Sequence, residues 1–156
     1  DLFKGLNLGI HEMGHMVFSP GGEFITICGG SLFQCLVPIG SMFMFWRQRD
    51  YFAIAFAWGW LATNLYDVAV YASDARAMEL PLVSPGAQGG EIIHDWNYLL
   101  DKLGWLKYDH VIGQMLNLDG MICMIICLGF GTWLCITMQQ SKPLPVDLNS
   151  QNQSIT

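Results

Sequence analysis

Charge is scarce in this chain. Only 13% of its 156 residues are Asp, Glu, Lys or Arg, about half the share usual in a soluble domain. Seven basic residues stand against thirteen acidic ones, a formal net charge of −6. No basic patch is available to meet a phosphate backbone, which excludes nucleic acid as a partner. Nor is there a C-x-x-C pair. The five cysteines (Cys28, Cys35, Cys123, Cys127 and Cys135) all lie inside apolar runs, where free thiols behave as small buried hydrophobes. Histidine is equally sparse, with four in the chain.

Apolar residues fill the space. The chain is 53% hydrophobic, with nine Met, nine Phe and six Trp, and its mean hydropathy is +0.36. Residues 24–46 carry no charge, enough length for a bilayer-crossing helix of about 20 residues. Pro38 lies within that run as a potential kink, and Gly29, Gly30, Ser31 and Gly40 permit close helix packing. Arg47-Gln48-Arg49-Asp50 reads as a polar hairpin. Residues 51–66 are again uncharged, with helical pattern continuing to Tyr71 or Ser73, and residues 120–141 form a third uncharged run. Residues 2–18 are less apolar and read as a fourth span or a re-entrant segment. The expectation is an all-α, polytopic membrane helical bundle of three to four transmembrane helices. Short interfacial amphipathic helices at 92–103 and 108–118 complete it, with Pro81, Pro85, Gly86, Gly89 and Gly90 marking the loop before them. Residues 1–141 form the membrane-embedded domain, and the polar residues 142–156 read as a disordered tail.

Two of the four histidines fall in His11-Glu12-Met13-Gly14-His15, an H-E-x-x-H pentapeptide. Residues four apart share one helix face, so both imidazoles can bind one metal, with Glu12 as general base on a metal-activated water. A catalytic zinc takes three protein ligands and keeps one position open. Span counting supplies candidates for the third. Two spans return the chain to its starting side, so His11, Glu12, His15, Asp74, His94, Asp95 and Asp119 share one side. On the second span, Asn64, Asp67, Tyr71 and Asp74 recur along one face, and charge within a span faces a bundle interior or a water cavity. Among His94, Asp74, Asp67 and Asp119, His94 is the preferred ligand and Asp74 the next, with Asp95 placed to orient an imidazole or support the site. Gln34 or Asn64 could place substrate or stabilise an oxyanion. His110 reads as structural or solvated.

The pentapeptide on an apolar helix resembles the active-site helix of site-2-protease-type intramembrane zinc metalloproteases. That family completes its site with an aspartate from an N-x-x-P-x-x-x-D-G motif. Here Asn117-Leu118-Asp119-Gly120 matches its end, with contracted spacing and without the prolines. The chain also resembles a small group of bacterial membrane proteins. Their shared pattern is found here as the H-E-x-G-H helix, Gly29-Gly30, Gln34, Pro38, Asp74-Ala75-Arg76 and His94-Asp95-Trp96, covering most of residues 9–106. These resemblances imply a metallopeptidase-like protein of the bacterial inner membrane.

The resulting expectation is a multi-pass, membrane-embedded zinc hydrolase, a peptidase, holding one zinc ion. Glu12 is its catalytic base, and His11, His15, His94 and Asp74 are its candidate ligands. Its partners would be membrane lipid and a membrane protein or peptide substrate. The alternative is a non-catalytic subunit of a larger membrane complex with a structural metal or none. Oxidative chemistry at iron is a third possibility.

Overall fold

The computed structural model describes residues 2–80 and 94–140. The expected loop at 81–93, including the first residues of the helix expected from 92, and the tail at 142–156 lie outside the described residues. Among the described residues five α-helices follow one another: α1 (Leu2–Phe18), α2 (Glu23–Gln48), α3 (Tyr51–Ser73), α4 (Asp95–Lys102) and α5 (Asp109–Gln140). There is no strand among the described residues.

Local chemistry explains the breaks. Between α1 and α2, Pro20 sits in the first turn of a short 3-10 segment, where its missing N–H costs nothing, and Gly22 reverses the chain at φ 86°. Between α2 and α3, Arg49 takes the left-handed conformation at φ 59° and its N–H closes on the Trp46 carbonyl at 3.1 Å. Asp50 then caps α3, its carboxylate accepting from the Ala53 N–H at 3.0 Å. Pro38 lies inside α2 without ending it. Having no N–H, it leaves the Gln34 carbonyl without its helical donor.

α3 is the axis of the bundle. On one side it packs antiparallel to α5 along a seam of small residues. A side chain added at Gly113 would meet Ser73 and the Ala69 carbonyl, one at Gly120 would meet the Tyr66 ring, and one at Gly59 would meet the Cys127 sulfur. Ala55, Ala62, Ala69 and Ala72 are buried along α3, so the two backbones approach closely. The start of α5 is tied to the end of α3 by Arg76, whose guanidinium donates to both oxygens of the fully buried Asp109 at 2.7 Å. On its other side α3 meets α2, and α1 lies against α2 where Gly14 and Gly29 let the two backbones touch.

α1 runs parallel to α3, and side chains bridge the gap between them. Asn7 donates to Asp67 at 3.1 Å and accepts from the Trp60 indole at 3.0 Å. One turn further along both helices, His11 faces Tyr71. The polar face foreseen on α3 is therefore turned toward α1.

Among the described residues two stretches are long and apolar enough to cross a membrane: Glu23–Gln48, and Leu106–Gln140, in which a 3-10 turn leads into α5. α1 and α3, expected as further spans, do not meet that description. α3 carries Asn64 and Asp67, and α1 carries Asn7, His11, Glu12 and His15. The helix expected at 108–118 and the span expected from 120 are one continuous helix. Residues 117–120 hold no proline, and Gly120 serves α5 as a packing notch against Tyr66 rather than as a turn. α5 extends about 48 Å at 1.5 Å per residue. Ile122, Ile125, Leu128, Trp133 and Ile136 are exposed along it.

The α3–α5 seam yields a direct test. Gly113→Ala places a methyl group 2.8 Å from the Ala69 carbonyl oxygen and should destabilise the bundle by about 1–3 kcal/mol through overpacking. Gly129→Ala, where nothing lies within 4 Å, should be neutral or stabilising by up to about 1 kcal/mol. Thermal unfolding in detergent, followed by circular dichroism, compares the two.

Candidate metal centre

The H-E-x-x-H pentapeptide forms the second half of α1, and its imidazoles sit edge to face with ring centres 4.8 Å apart. α2 passes beneath them. The His15 Nδ1–H donates to the Thr26 carbonyl oxygen at 2.9 Å, and His11 Nδ1 meets the Gln34 side-chain oxygen at 3.2 Å. A carbonyl oxygen only accepts, so each ring carries a proton on Nδ1. Without a metal the bond to Asp95 raises the His15 pKa to about 9, so its Nε2 is then protonated as well; a metal ion would take the place of that proton. Both Nε2 atoms point at a single oxygen. His11 Nε2 lies 2.9 Å and His15 Nε2 lies 3.2 Å from Asp95 Oδ2.

Two lone pairs and a carboxylate oxygen repel one another at such distances unless a cation stands among them. That cation is either protons on the rings or a metal ion. His11, His15 and Asp95 each offer one ligand atom, all within 4.8 Å of one another. Zinc with bonds of 2.0–2.2 Å in tetrahedral geometry holds its ligand atoms about 3.3 Å apart. The two Nε2–Oδ2 separations, 2.9 and 3.2 Å, lie within a few tenths of an ångström of that value. The donor set of two imidazoles and a carboxylate, with one position left open, fits zinc. Gly30 provides the room. A Cβ there would stand 2.6 Å from Nε2 of both histidines, so the two imidazoles can close over α2 only because this residue has no side chain.

Asp95 opens α4, and four contacts position it. His94 is the N-cap, its Nδ1 accepting from the Asn97 N–H at 3.2 Å. Tyr71 accepts the Asp95 N–H through its hydroxyl at 3.1 Å. Trp96 donates to Ser31 at 3.1 Å and the Asn97 amide to the Ala75 carbonyl at 2.7 Å, which pins α4 to α2 and to the end of α3. Asp95 is 8% exposed. Burial alone would raise its pKa, but the bonds from His11 and His15 outweigh burial and hold the carboxyl below its usual range.

The structure thus brings Asp95 to the histidine pair, while His94 and Asp74 face each other. His94 Nδ1 is committed to the cap, so its proton is on Nε2, 3.4 Å from Asp74 Oδ2 and too loosely placed for a well-formed hydrogen bond. Asp74 also accepts from the Glu79 and Leu80 N–H groups at 3.0 Å. Burial would raise its pKa, yet these N–H donors hold it below the usual range. Asp67 is engaged by Asn7. Asn64 is fully buried and donates to the Trp60 carbonyl. Asp119 is exposed on α5, and His110 is exposed at its start. Glu12, beside His11, is half-buried.

Sequence reasoning gave Asp95 a supporting part and missed how Gln34 fixes the His11 tautomer. His94 is the extended N-cap just before α4, its side chain turned back to the Asn97 N–H, which leaves Asp95, the first helical residue, to face the pair. That choice rests on which of them turns back to cap α4. Comparison with family models, with curated proteins and with solved structures finds no match for the chain.

Gly30→Ala would push a methyl group against both imidazoles and should weaken binding of an added divalent metal without unfolding the helices. Metal titration of the purified variant, alongside its circular dichroism spectrum, measures both, and binding equal to wild type would contradict a metal site at His11, His15 and Asp95.

Proposed function

We propose that this chain is a membrane-embedded, zinc-dependent hydrolase acting on peptide bonds. The observation that carries the proposal is the convergence of His11 Nε2, His15 Nε2 and Asp95 Oδ2, drawn from two helices 80 residues apart in sequence, with both histidine Nδ1 atoms already engaged. The resemblance of the pentapeptide to site-2-protease-type enzymes supports the same reading. So do the two helices with the length and apolarity of membrane spans. The location that fits is a multi-pass position in a bacterial inner membrane. The substrate that fits is a membrane protein or peptide reaching the site from lipid or from the interface.

Zinc held there would supply an acidified water and a Lewis acid for the scissile carbonyl. The chain's own groups do the rest. Glu12, next to His11 on the same helix, takes the proton from the attacking water and delivers it to the leaving amine. Gln34 and the Thr26 carbonyl hold the two rings in the tautomer that leaves Nε2 free. Tyr71 and the His94 cap hold the start of α4, and with it the Asp95 carboxylate, over α1.

Glu12→Gln should keep one zinc per chain and lower hydrolysis of a labelled transmembrane peptide in proteoliposomes by about 10²–10⁴-fold. Asp95→Ala should lose the metal. His94→Ala and Asp74→Ala should retain it, with weakened affinity. Undiminished turnover in Glu12→Gln would refute the mechanism, and zinc bound as tightly in Asp95→Ala as in the wild type would refute the ligand set.

A further inference from the structure

Resting on the zinc-site reading above, we propose that Tyr71 is a further catalytic residue, the phenol that donates a hydrogen bond to the substrate oxygen on which negative charge develops. Tyr71 stands on α3 with its ring between two histidines. The His94 ring lies 4.4 Å away, tilted by 39°, and the His11 ring lies 6.1 Å away, nearly edge-on at 65°. Two rings and a helix leave it little rotamer freedom. Its hydroxyl oxygen is 3.1 Å from the backbone nitrogen of Asp95, the residue whose carboxylate receives both imidazoles.

That contact uses Tyr71 as an acceptor. A hydroxyl also has one proton to give, and a phenol keeps it at neutral pH. No acceptor for it is found among the described residues. The Trp96 indole is committed to Ser31, and the His94 Nε2–H is turned toward Asp74, 3.4 Å away, rather than toward the histidine pair. Tyr71 is therefore anchored to the residue that completes the metal site while holding an unspent proton. A donor fixed in advance at the point where charge appears stabilises that charge without reorganising.

Two small zinc ligands separate this role from a structural one. Acetohydroxamate binds zinc through oxygens that can accept from the phenol, whereas ethanethiol binds through sulfur and has no oxygen. Both are titrated against the zinc-loaded full chain in detergent, as wild type and as Tyr71→Phe, with zinc content measured alongside. The expected result is that Tyr71→Phe keeps its zinc, binds ethanethiol within about twofold of wild type, and binds acetohydroxamate roughly ten- to hundredfold more weakly. Equal weakening of both ligands, no weakening of either, or loss of zinc from Tyr71→Phe would each overturn the assignment and leave Tyr71 as a prop for Asp95. A wild type that takes up no zinc would instead overturn the zinc site itself, and this role with it.

Discussion

One carboxylate oxygen facing two imidazole nitrogens is the constraint around which this molecule is arranged. The arrangement is tolerable only because each histidine has its other nitrogen engaged and because the Asp95 charge is shared. Each neighbouring element serves it. α2 gives the Thr26 carbonyl, the Gln34 amide and the bare backbone of Gly30. α3 gives Tyr71. α4 begins at the Asp95 position because His94 caps it. A buried carboxylate without such partners would lose several kcal/mol to desolvation, so the positioning contacts and the cation site stand or fall together.

Packing follows from the same demand. For His11 and His15 to reach over α2, the backbones of α1 and α2 must touch, and Gly14 and Gly29 allow it. For α3 to present polar groups toward α1, its opposite side must be held firmly. The alanine and glycine seam with α5 and the Arg76–Asp109 pair accomplish this. What remains of α5 is an apolar exterior, in keeping with a helix of spanning length.

Much of this was legible in the residues. The pentapeptide announced a helix with two imidazoles on one face. The Arg47–Asp50 turn and the two uncharged runs beside it announced the α2–α3 hairpin. Counting spans set Asp74, His94, Asp95 and Asp119 on the side of the histidines; the first three do gather there, but Asp119 is exposed on α5, and α3, one of the spans counted, is not apolar enough to qualify as one. Recurrence at Asn64, Asp67, Tyr71 and Asp74 foretold a polar face on α3. Three things were not legible. The division of labour between His94 and Asp95 depends on cap geometry, which composition does not encode. Gln34 acts through a tautomer set by a helix 23 residues away. The continuity of α5 through residues 117–120 depends on Gly120 finding Tyr66 beside it, a tertiary contact that overrides a local break signal.

X-ray absorption at the zinc edge, on full-length protein loaded with one equivalent of zinc, tests the central claim most directly. The account predicts a first shell of two imidazole nitrogens and two oxygens at about 2.0–2.2 Å, with no sulfur. A sulfur shell near about 2.3 Å, or fewer than two imidazoles, would show that His11, His15 and Asp95 do not share the ion.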